Sequence, residues 1–290
     1  MEHDKDRVHL EPELIARYLR LLGVARRPPS LEALKELVRG QLTRIPFENI
    51  SKLYYKKHFG LGDIAAIGDY LDGVEKKHFG GTCYSNNFHF HCLLASLGYD
   101  AKLCSADMAV PDVHAVNIVN VDGHEYLVDP GYAAPFLEPL PRDLRTDFAI
   151  SLGRDRYVLK PKDSCGRSRL ELYRNGVLKH GYLAKPAPKT IGDFGGVIAD
   201  SFRREATFLN SILVARFFPG RSVVIHNLAV IYSRGESCDT RRLSSLEDAA
   251  AAIHQEVGIP REIVLDAVAE LKDMQDAWGD PFLGGRDHQA

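Results

Sequence analysis

The sequence lacks several features that mark whole classes of protein. No apolar run approaches the roughly 18 residues that a membrane-spanning helix requires, and residues 1–7 lack the apolar core of a secretory signal. The formal net charge is only −2, so the chain as a whole has no electrostatic attraction for nucleic acid. We therefore expect a protein that neither crosses a membrane nor binds nucleic acid.

A cysteine framework is missing as well. The five cysteines are odd in number and irregularly spaced, and no Cys-x-x-Cys pair occurs. His89 and His91 lie two residues apart, a spacing that does not place them on one face of a helix. We expect no metal site and a reduced, cytoplasmic protein in which a thiol is available for chemistry.

What remains is a composition typical of an enzyme, with 45% hydrophobic and 26% charged residues among 290. Hydrophobic periodicity changes twice along the chain. It predicts an α+β fold in three parts: an N-terminal helical part (1–98), a β part (99–187) and a mixed C-terminal part (188–290).

Local signals place elements within these parts. Ser30 and Asp63 are candidate helix caps, and the dipeptides Asp122-Gly123 and Asn175-Gly176 are typical of two-residue hairpins. The remaining predictions are helices near 12–22 and 31–45, a linker at 185–189, a helix near 199–217, a strand at 222–232 and a helix after a capping box at Ser244.

Cys83 is the candidate nucleophile. It follows Gly80-Gly81-Thr82, where two glycines permit a close backbone approach, and it precedes an apolar stretch that fits a helix from Asn87 to Leu97. A thiol at a helix N-terminus lies among free N–H groups that stabilise a thiolate and can bind an oxyanion. The other four cysteines lack a partner motif, and we interpret them as inert.

The hairpin at Asp122-Gly123 supplies a base and its partner. If these two residues form the turn, Val121 pairs with His124, and Val116 lies opposite Asp129. His114 is then the diagonal neighbour of Asp129 on the same face of the sheet, within reach of a hydrogen bond. An aspartate that holds one imidazole nitrogen leaves the other for the nucleophile.

Three motifs together resemble the arylamine N-acetyltransferases. Residues 44–49 (Arg-Ile-Pro-Phe-Glu-Asn) are similar to the Pro-Phe-Glu-Asn signature of that family. Gly80 to Cys83 with Asn87 resembles its nucleophile motif, and His114 with residues 126–132 resembles its histidine and aspartate strands. The resemblance covers roughly residues 10–140.

The resemblance implies a helical bundle, a central antiparallel β-barrel and a C-terminal α/β lid around a cysteine-proteinase-like core. It also implies a ping-pong reaction. Cys83 would take an acetyl group from acetyl-CoA, with His114 and Asp129 assisting, and pass it to an arylamine or hydrazine. Phe47 and Tyr132 match positions that line the acceptor pocket in the family.

Some positions depart from the family pattern. Phe79 replaces an arginine before the glycines, Leu21 replaces another arginine in the first helix, Ser85 replaces a glutamate or glutamine, and Ala133 replaces a glycine. The two arginines normally neutralise the signature glutamate, here Glu48. Because an unpaired buried carboxylate is costly, we expect Glu48 to bind another cation or to be partly solvated; the candidate cations are Arg44, Arg20 and His78.

Three other functions fit the same residues. An amide synthase acting on a carrier-bound polyketide would use the same triad, and the departures from the family pattern leave it open. A thiol hydrolase would need an open cleft for peptide. A binding module that keeps the scaffold would have an unreactive Cys83. The natural acceptor, the acyl-chain length, the CoA-binding residues and the oligomeric state do not follow from the sequence.

Overall fold

The computed structural model describes residues 8–269 and 271, so residues 1–7 and the end of the predicted C-terminal part lie outside it. Helices come first along the chain, antiparallel strands fill the middle, and helices and strands mix at the end. The α+β class is therefore confirmed. The division at residues 98 and 187 stays a prediction.

Most helices lie in the first third of the chain, and three more lie after residue 194. Pro12 opens the first helix, Gly23 closes it at φ 65°, and Ser30 caps the second through a bond from the Ala33 N–H. The described helices are α1 (Pro12–Leu22), α2 (Leu31–Arg44), α3 (Ile50–Phe59), α4 (Ile67–Lys77), α5 (Cys83–Ser96), α6 (Gly195–Asp200), α7 (Leu246–Val257) and α8 (Arg261–Val268).

The described strands are β1 (Phe47–Glu48), β2 (Asp100–Asp107), β3 (His114–Val121), β4 (His124–Val128), β5 (Leu140–Pro141), β6 (Phe148–Leu152), β7 (Asp155–Leu159), β8 (Ser168–Arg174), β9 (Val177–Pro188), β10 (Leu213–Phe218), β11 (Arg221–His226), β12 (Ala229–Arg234) and β13 (Ser237–Arg242). They form two antiparallel sheets. The larger sheet has the order β5-β4-β3-β2-β9-β8-β7-β6, and the smaller has the order β1-β10-β11-β12-β13.

The two hairpins predicted from dipeptides are present. Asp122 and Gly123 both have positive φ, 52° and 80°, as the tight turn requires. Val121 pairs with His124, which is the predicted register. Asn175-Gly176 turns β8 into β9 in the same way, with Arg174 opposite Val177.

Other local predictions are wrong. The stretch predicted as a helix at 199–217 contains only the end of α6, a short 3-10 turn and most of β10. The apolar residues from Leu213 onward form β10 within the five-stranded sheet, and short apolar runs fit either a helix or a strand. The supposed linker at 185–189 belongs almost wholly to β9, and helix α3 was not predicted. Helix α7 is capped by Ser245, one residue after the predicted Ser244.

The apolar core has two clusters. The larger joins α1, α2, α4 and α5 to the eight-stranded sheet through residues such as Leu19, Leu93 and Val116. The smaller joins α3, α7 and α8 to the five-stranded sheet through residues such as Leu53 and Ile253. Because β1 pairs with β10 and α3 packs on α8, an early segment of the chain is built into the C-terminal sheet.

No helix among the described residues has the length and apolarity needed to cross a membrane.

Arg142 gives a test of how the eight-stranded sheet is held. It is 1% exposed and donates to the Ser168 hydroxyl, the Gly166 carbonyl and the Glu125 carboxylate at 3.0, 2.6 and 2.7 Å. Arg142→Met leaves the buried Ser168 hydroxyl and the Gly166 carbonyl without this donor, while Glu125 keeps Lys162. We expect the free energy of unfolding to fall by about 2–4 kcal/mol in urea denaturation.

The matched control is Arg167→Met, which removes an exposed arginine bonded to Asp163 through its side chain. We expect that change to stay within about 0.5 kcal/mol. Equal effects of the two substitutions would contradict the role given to Arg142.

Candidate active site

Cys83 is the first residue of α5, as the sequence predicted for the nucleophile. Its thiol is nearly buried, with the residue 9% exposed. The N-cap residue Thr82 has extended backbone and makes no side-chain cap bond. No cap side chain therefore occupies the N–H groups at the start of this helix, and such groups can stabilise a thiolate or an oxyanion.

The two preceding glycines are required by packing. A Cβ on Gly80 would overlap the carbonyl oxygen of Pro46, and one on Gly81 would lie 2.7 Å from the Cβ of Ser85. The backbone N–H of Glu48 donates to the Gly81 carbonyl at 3.1 Å. Residues 80–83, the candidate nucleophile segment, therefore lie against β1. The glycines allow this close approach.

His114 and Asp129 form the hydrogen bond that the hairpin register predicted. His114 Nε2 lies 2.8 Å from Asp129 Oδ2, and each residue is 2% exposed. Burial lowers the pKa of His114, but the charge and hydrogen bond of Asp129, together with Cys83, raise it to about 10. Since Nε2 bonds the aspartate, the nitrogen left for Cys83 is Nδ1.

Asn87 holds the aspartate, a role that the sequence reasoning did not assign. Its Nδ2 donates to Asp129 Oδ1 at 2.7 Å and to the Ala115 carbonyl at 2.5 Å, and its Oδ1 accepts from the Gly131 N–H at 3.3 Å. Asn87 lies four residues after Cys83, one turn along α5 and on the same face. This four-residue spacing is the sequence feature from which a place for Asn87 beside Cys83 could have been predicted.

Aromatic rings surround the imidazole. The ring centroids of Tyr182 and Tyr132 lie 5.0 and 5.7 Å from that of His114. Burial raises the pKa of both phenols well above their usual value, so both stay neutral. The Tyr132 hydroxyl and Nδ1 of His180 are 2.7 Å apart, which ties this ring to β9.

Both residues predicted to bind substrate line one cavity with the cysteine and the histidine. The cavity has a volume of about 750 Å³ and includes Phe47, Cys83, His114 and Tyr132 in its wall. Phe47 packs edge-on against Phe208, another wall residue, at 5.9 Å between centroids. An aromatic ligand could therefore contact rings while it lies beside the thiol.

Part of the same wall is basic, which the sequence reasoning also missed. Arg154, Arg174 and Lys179 line it, and Asp155 neutralises Arg174 through two hydrogen bonds of 2.7 and 2.8 Å. Lys179 is exposed, and the side chain of Arg174 is 38% exposed. This section of the wall can attract an anionic group from solvent.

The expected cation beside Glu48 is absent, and the expectation was wrong. Glu48 is 0% exposed, and in the described part of the chain it forms no ion pair. Its two carboxylate oxygens instead accept from the backbone N–H groups of Ser51 and Gly80 at 2.8 and 2.9 Å. Burial raises the pKa of Glu48, and the bonds from Ser51 and Gly80 offset only part of that effect.

The departures from the family pattern are accommodated by packing. Phe79 is 1% exposed and contacts the rings of Tyr54 and Tyr55 at 5.5 and 5.7 Å, so an aromatic cluster takes the place of an arginine. Leu21 packs against the larger apolar cluster. Ala133 lines the large cavity, and Ser85 lies against Gly81.

Comparison with known proteins gives consistent matches. An N-acetyltransferase family model matches residues 30–264. Proansamycin X synthase of Amycolatopsis mediterranei is 32% identical over 118 residues, 38% of this chain and 45% of that protein. The pineal gland arylamine N-acetyltransferase NAT-3 of Gallus gallus is 31% identical over 124 residues, 40% of this chain and 41% of that protein. The chain thus spans less than half the length of these curated relatives.

The fold is also that of a solved structure. Arylamine N-acetyltransferase of Mycobacterium marinum, solved in complex with CoA, superposes with a TM-score of 0.74 at 19% identity. The match covers 89% of this chain and 99% of that one, so the likeness in fold extends well beyond residues 10–140, where the motifs lie.

Replacement of Glu48 tests how the nucleophile segment is held. In Glu48→Gln one oxygen becomes an NH2 group that faces a backbone N–H, so we expect the free energy of unfolding to fall by about 1–3 kcal/mol. We also expect slower alkylation of Cys83 by iodoacetamide, because the amide can accept from only one of the two N–H groups, Ser51 and Gly80, that Glu48 holds together. Glu32→Gln, at an exposed glutamate paired with Lys35, is the control and should change neither quantity. An unchanged alkylation rate in Glu48→Gln would contradict this account.

The His114–Asp129 pair predicts a pH dependence of stability. The pKa of His114 rises from an ordinary 6.5 to about 10 in the folded chain. Its contribution to the free energy of unfolding is therefore complete below pH 6.5 and is lost as the pH rises through about 10. We expect the stability difference between the wild type and His114→Gln to shrink over that interval.

The control is Asn120→Ser, an exposed position of the same hairpin where neither side chain titrates. Its stability difference from the wild type should stay flat over the same interval. A constant difference for His114→Gln across the interval would refute the assignment.

Proposed function

The chain belongs to the arylamine N-acetyltransferase family, and on that premise we propose that it transfers an acetyl group from acetyl-CoA to an arylamine or hydrazine through a thioester on Cys83. The observation that carries the proposal is the hydrogen-bonded pair of His114 and Asp129 beside a thiol at a helix N-terminus. All three side chains are buried, and Cys83 and His114 line a cavity large enough for a small aromatic molecule.

The first half-reaction forms the thioester. The Cys83 thiolate attacks the carbonyl carbon of acetyl-CoA, and the oxyanion that forms lies within reach of the N–H groups at the start of α5. The carbon–sulfur bond to CoA then breaks. CoA leaves as a thiol that takes its proton from the His114 imidazolium, and the acetyl group stays on Cys83.

The second half-reaction transfers the acetyl group to the acceptor. The amine nitrogen attacks the thioester carbonyl, and neutral His114 takes the proton that the nitrogen loses. Cys83 leaves as a thiolate and the imidazolium is restored, so the site returns to its starting state. Asp129, held by Asn87, keeps the imidazole in the orientation that both steps use.

The cavity supports the choice of substrates. In this proposal Phe47 and Tyr132 contact the ring of the acceptor, and the partly exposed basic wall near Arg154 and Lys179 attracts the phosphates of CoA. The fold shared with a mycobacterial enzyme solved in complex with CoA supports CoA as the carrier of the acyl group. A cytoplasmic location, supported by five cysteines that form no disulfide in the part of the chain that the structure describes, belongs to the same proposal.

The relation to proansamycin X synthase supports a second candidate, an amide synthase that acts on a carrier-bound polyketide. Such an enzyme would use the same three residues and the same thioester. We do not favour it, because the family match and the likeness in fold both point to N-acetyltransferases. The two candidates differ in the acyl donor that loads Cys83.

Mass spectrometry after incubation with acetyl-CoA tests the proposal. We expect one acetyl group, about 42 Da, on the peptide that contains Cys83, and its loss with N-acetylation when an arylamine is added. Cys83→Ser should carry no thioester. We expect His114→Gln and Asp129→Asn to lower the acetylation rate by at least about 100-fold.

Cys165→Ser is the matched control, because Cys165 is an exposed thiol and should make no contribution. Loading of Cys83 by a carrier-bound acyl thioester but not by acetyl-CoA would replace the proposal with the amide synthase. A Cys83 that neither donor loads would refute both functions.

A further inference from the structure

One buried side chain from each of four helices joins a single chain of hydrogen bonds that ends at the nucleophile segment. In order toward that segment they are Tyr18 of α1, Gln41 of α2, Tyr70 of α4 and Asn86 of α5, and none is more than 3% exposed. Tyr18 donates to Gln41 Oε1 at 3.0 Å, and Gln41 Nε2 donates to the Tyr70 hydroxyl at 3.3 Å. Tyr70 donates to Asn86 Oδ1 at 3.0 Å, and Asn86 Nδ2 donates to the Gly81 carbonyl at 2.9 Å. The proposed mechanism uses none of these side chains.

The direction of every bond in this chain is fixed from its inner end. A carbonyl oxygen can only accept, so Asn86 must present its NH2 group to Gly81 and its Oδ1 to Tyr70. Tyr70 must therefore donate to Asn86, and its oxygen accepts from the NH2 group of Gln41. That orientation leaves Gln41 Oε1 for the hydroxyl of Tyr18. Because each link depends on the next, loss of the Tyr70 hydroxyl breaks the chain where it reaches α5.

Asn86 holds the two carbonyl groups that precede Cys83. Its side chain bonds the Gly81 carbonyl, and its backbone N–H donates to the Thr82 carbonyl at 3.0 Å. Because a peptide group is planar, the direction of the Gly81 carbonyl also sets that of the Thr82 N–H. In the same way the Thr82 carbonyl sets the direction of the Cys83 N–H. The path of the backbone into α5, and with it the position of Cys83, therefore depends on Asn86.

Tyr70 is the link that no neighbouring group replaces. In the part of the chain that the structure describes, its hydroxyl is the only donor to Asn86 Oδ1. Burial raises the pKa of Tyr70 to about 12, so at neutral pH the phenol keeps the proton that this bond needs. A buried amide oxygen without a donor is costly. Loss of the hydroxyl therefore favours a different orientation of Asn86, in which Gly81 loses its side-chain donor.

We propose that Tyr70 is a positioning residue. Acting through Asn86, it holds the backbone before Cys83 so that the thiol and the first N–H groups of α5 are placed for acyl transfer. The N-terminal helices thereby contribute to the reaction without touching a substrate. This inference rests on the proposed function for its purpose, but the positioning can be measured without any acyl transfer.

The test is the single-turnover rate at which acetyl-CoA loads Cys83, measured by mass spectrometry at increasing acetyl-CoA concentrations. In Tyr70→Phe we expect the saturated rate to fall by roughly 10-fold, because small displacements of reacting groups are costly. The acetyl-CoA concentration that gives half of the saturated rate should stay within about twofold, since Tyr70 lies outside the wall of the large cavity. A purely structural role would change the folded fraction and leave the saturated rate of the folded protein unchanged.

Tyr99→Phe is the matched control, because Tyr99 is also a buried tyrosine whose hydroxyl bonds another segment, the Ser30 carbonyl at 3.1 Å. Tyr99 lies beyond the far end of α5, about 20 Å along the helix from Cys83. We expect this variant to lose a similar amount of stability in urea denaturation and to load Cys83 at the rate of the wild type.

Two further variants decide the question if Tyr70→Phe does not fold. Asn86→Ala removes the side-chain donor to Gly81 itself and should lower the saturated rate at least as much. Tyr18→Phe removes only the outermost bond and should lower it less. A saturated rate equal to that of the wild type in Tyr70→Phe, or in Asn86→Ala where only that variant folds, would overturn the proposal. An equal loss in Tyr99→Phe would also overturn it, since a general loosening of the helices would then explain both.

Failure of this proposal can be distinguished from failure of the proposed function. Hydrogen exchange of the peptide that contains residues 80–86 reports the positioning alone, and we expect faster exchange there in Tyr70→Phe but not in Tyr99→Phe. If the wild type takes no acyl group on Cys83, the transferase proposal fails, and hydrogen exchange still decides whether Tyr70 holds the nucleophile segment. If acetylation proceeds and Tyr70→Phe loads as fast as the wild type, only the role of Tyr70 is lost.

Discussion

The site depends on the side-chain amide of Asn87, because it joins the helix that carries Cys83 to the sheet that carries His114. One NH2 group bonds both the Ala115 carbonyl of β3 and the carboxylate of Asp129. The position of α5 against β3 therefore also sets the position of Asp129, and through Asp129 the orientation of His114. Gly131 has no room for a side chain, since a Cβ there would lie 2.8 Å from the Cα of Cys83. Helix, sheet and loop thus meet within a few ångströms of the sulfur.

Buried charge around this junction is stabilised by backbone dipoles and by other buried charges. Glu48 accepts two N–H groups, one from the start of α3 and one from the nucleophile segment. It can therefore stay buried without either arginine that the family pattern would supply, and Phe79 and Leu21 are free to pack as apolar residues. A buried carboxylate that bonds backbone N–H groups does not need a particular side chain beside it. The arginines of the family pattern are thus one way to stabilise a buried glutamate at this position, and this chain uses backbone N–H groups instead.

The sequence was most informative where the structure depends on local chemistry. The Asp122-Gly123 turn determines its own register, so the pairing of His114 with Asp129 followed from counting residues. The pairing of Phe47 with Ala215 could not be predicted in that way, because it joins positions far apart in sequence. The segment 199–217 was mistaken for a helix because its last apolar residues form β10, whose pairing with β1 joins positions far apart in sequence. The donors to Glu48 are backbone groups, which every residue but proline has, so no side chain identified them.

In the proposed reaction an acyl group on Cys83 must survive until the acceptor arrives, and the walls of the cavity bear on that requirement. The thiol is 9% exposed and opens into a space that Phe47, Tyr132 and Phe208 also line. Water gains little from such walls, whereas an aromatic amine buries its ring against them. In the proposed reaction the same rings would slow hydrolysis of the thioester and concentrate the competing amine. Selectivity for an aromatic acceptor over water would then come from the lining of the cavity, and Cys83, His114 and Asp129 would not need to distinguish the amine from water.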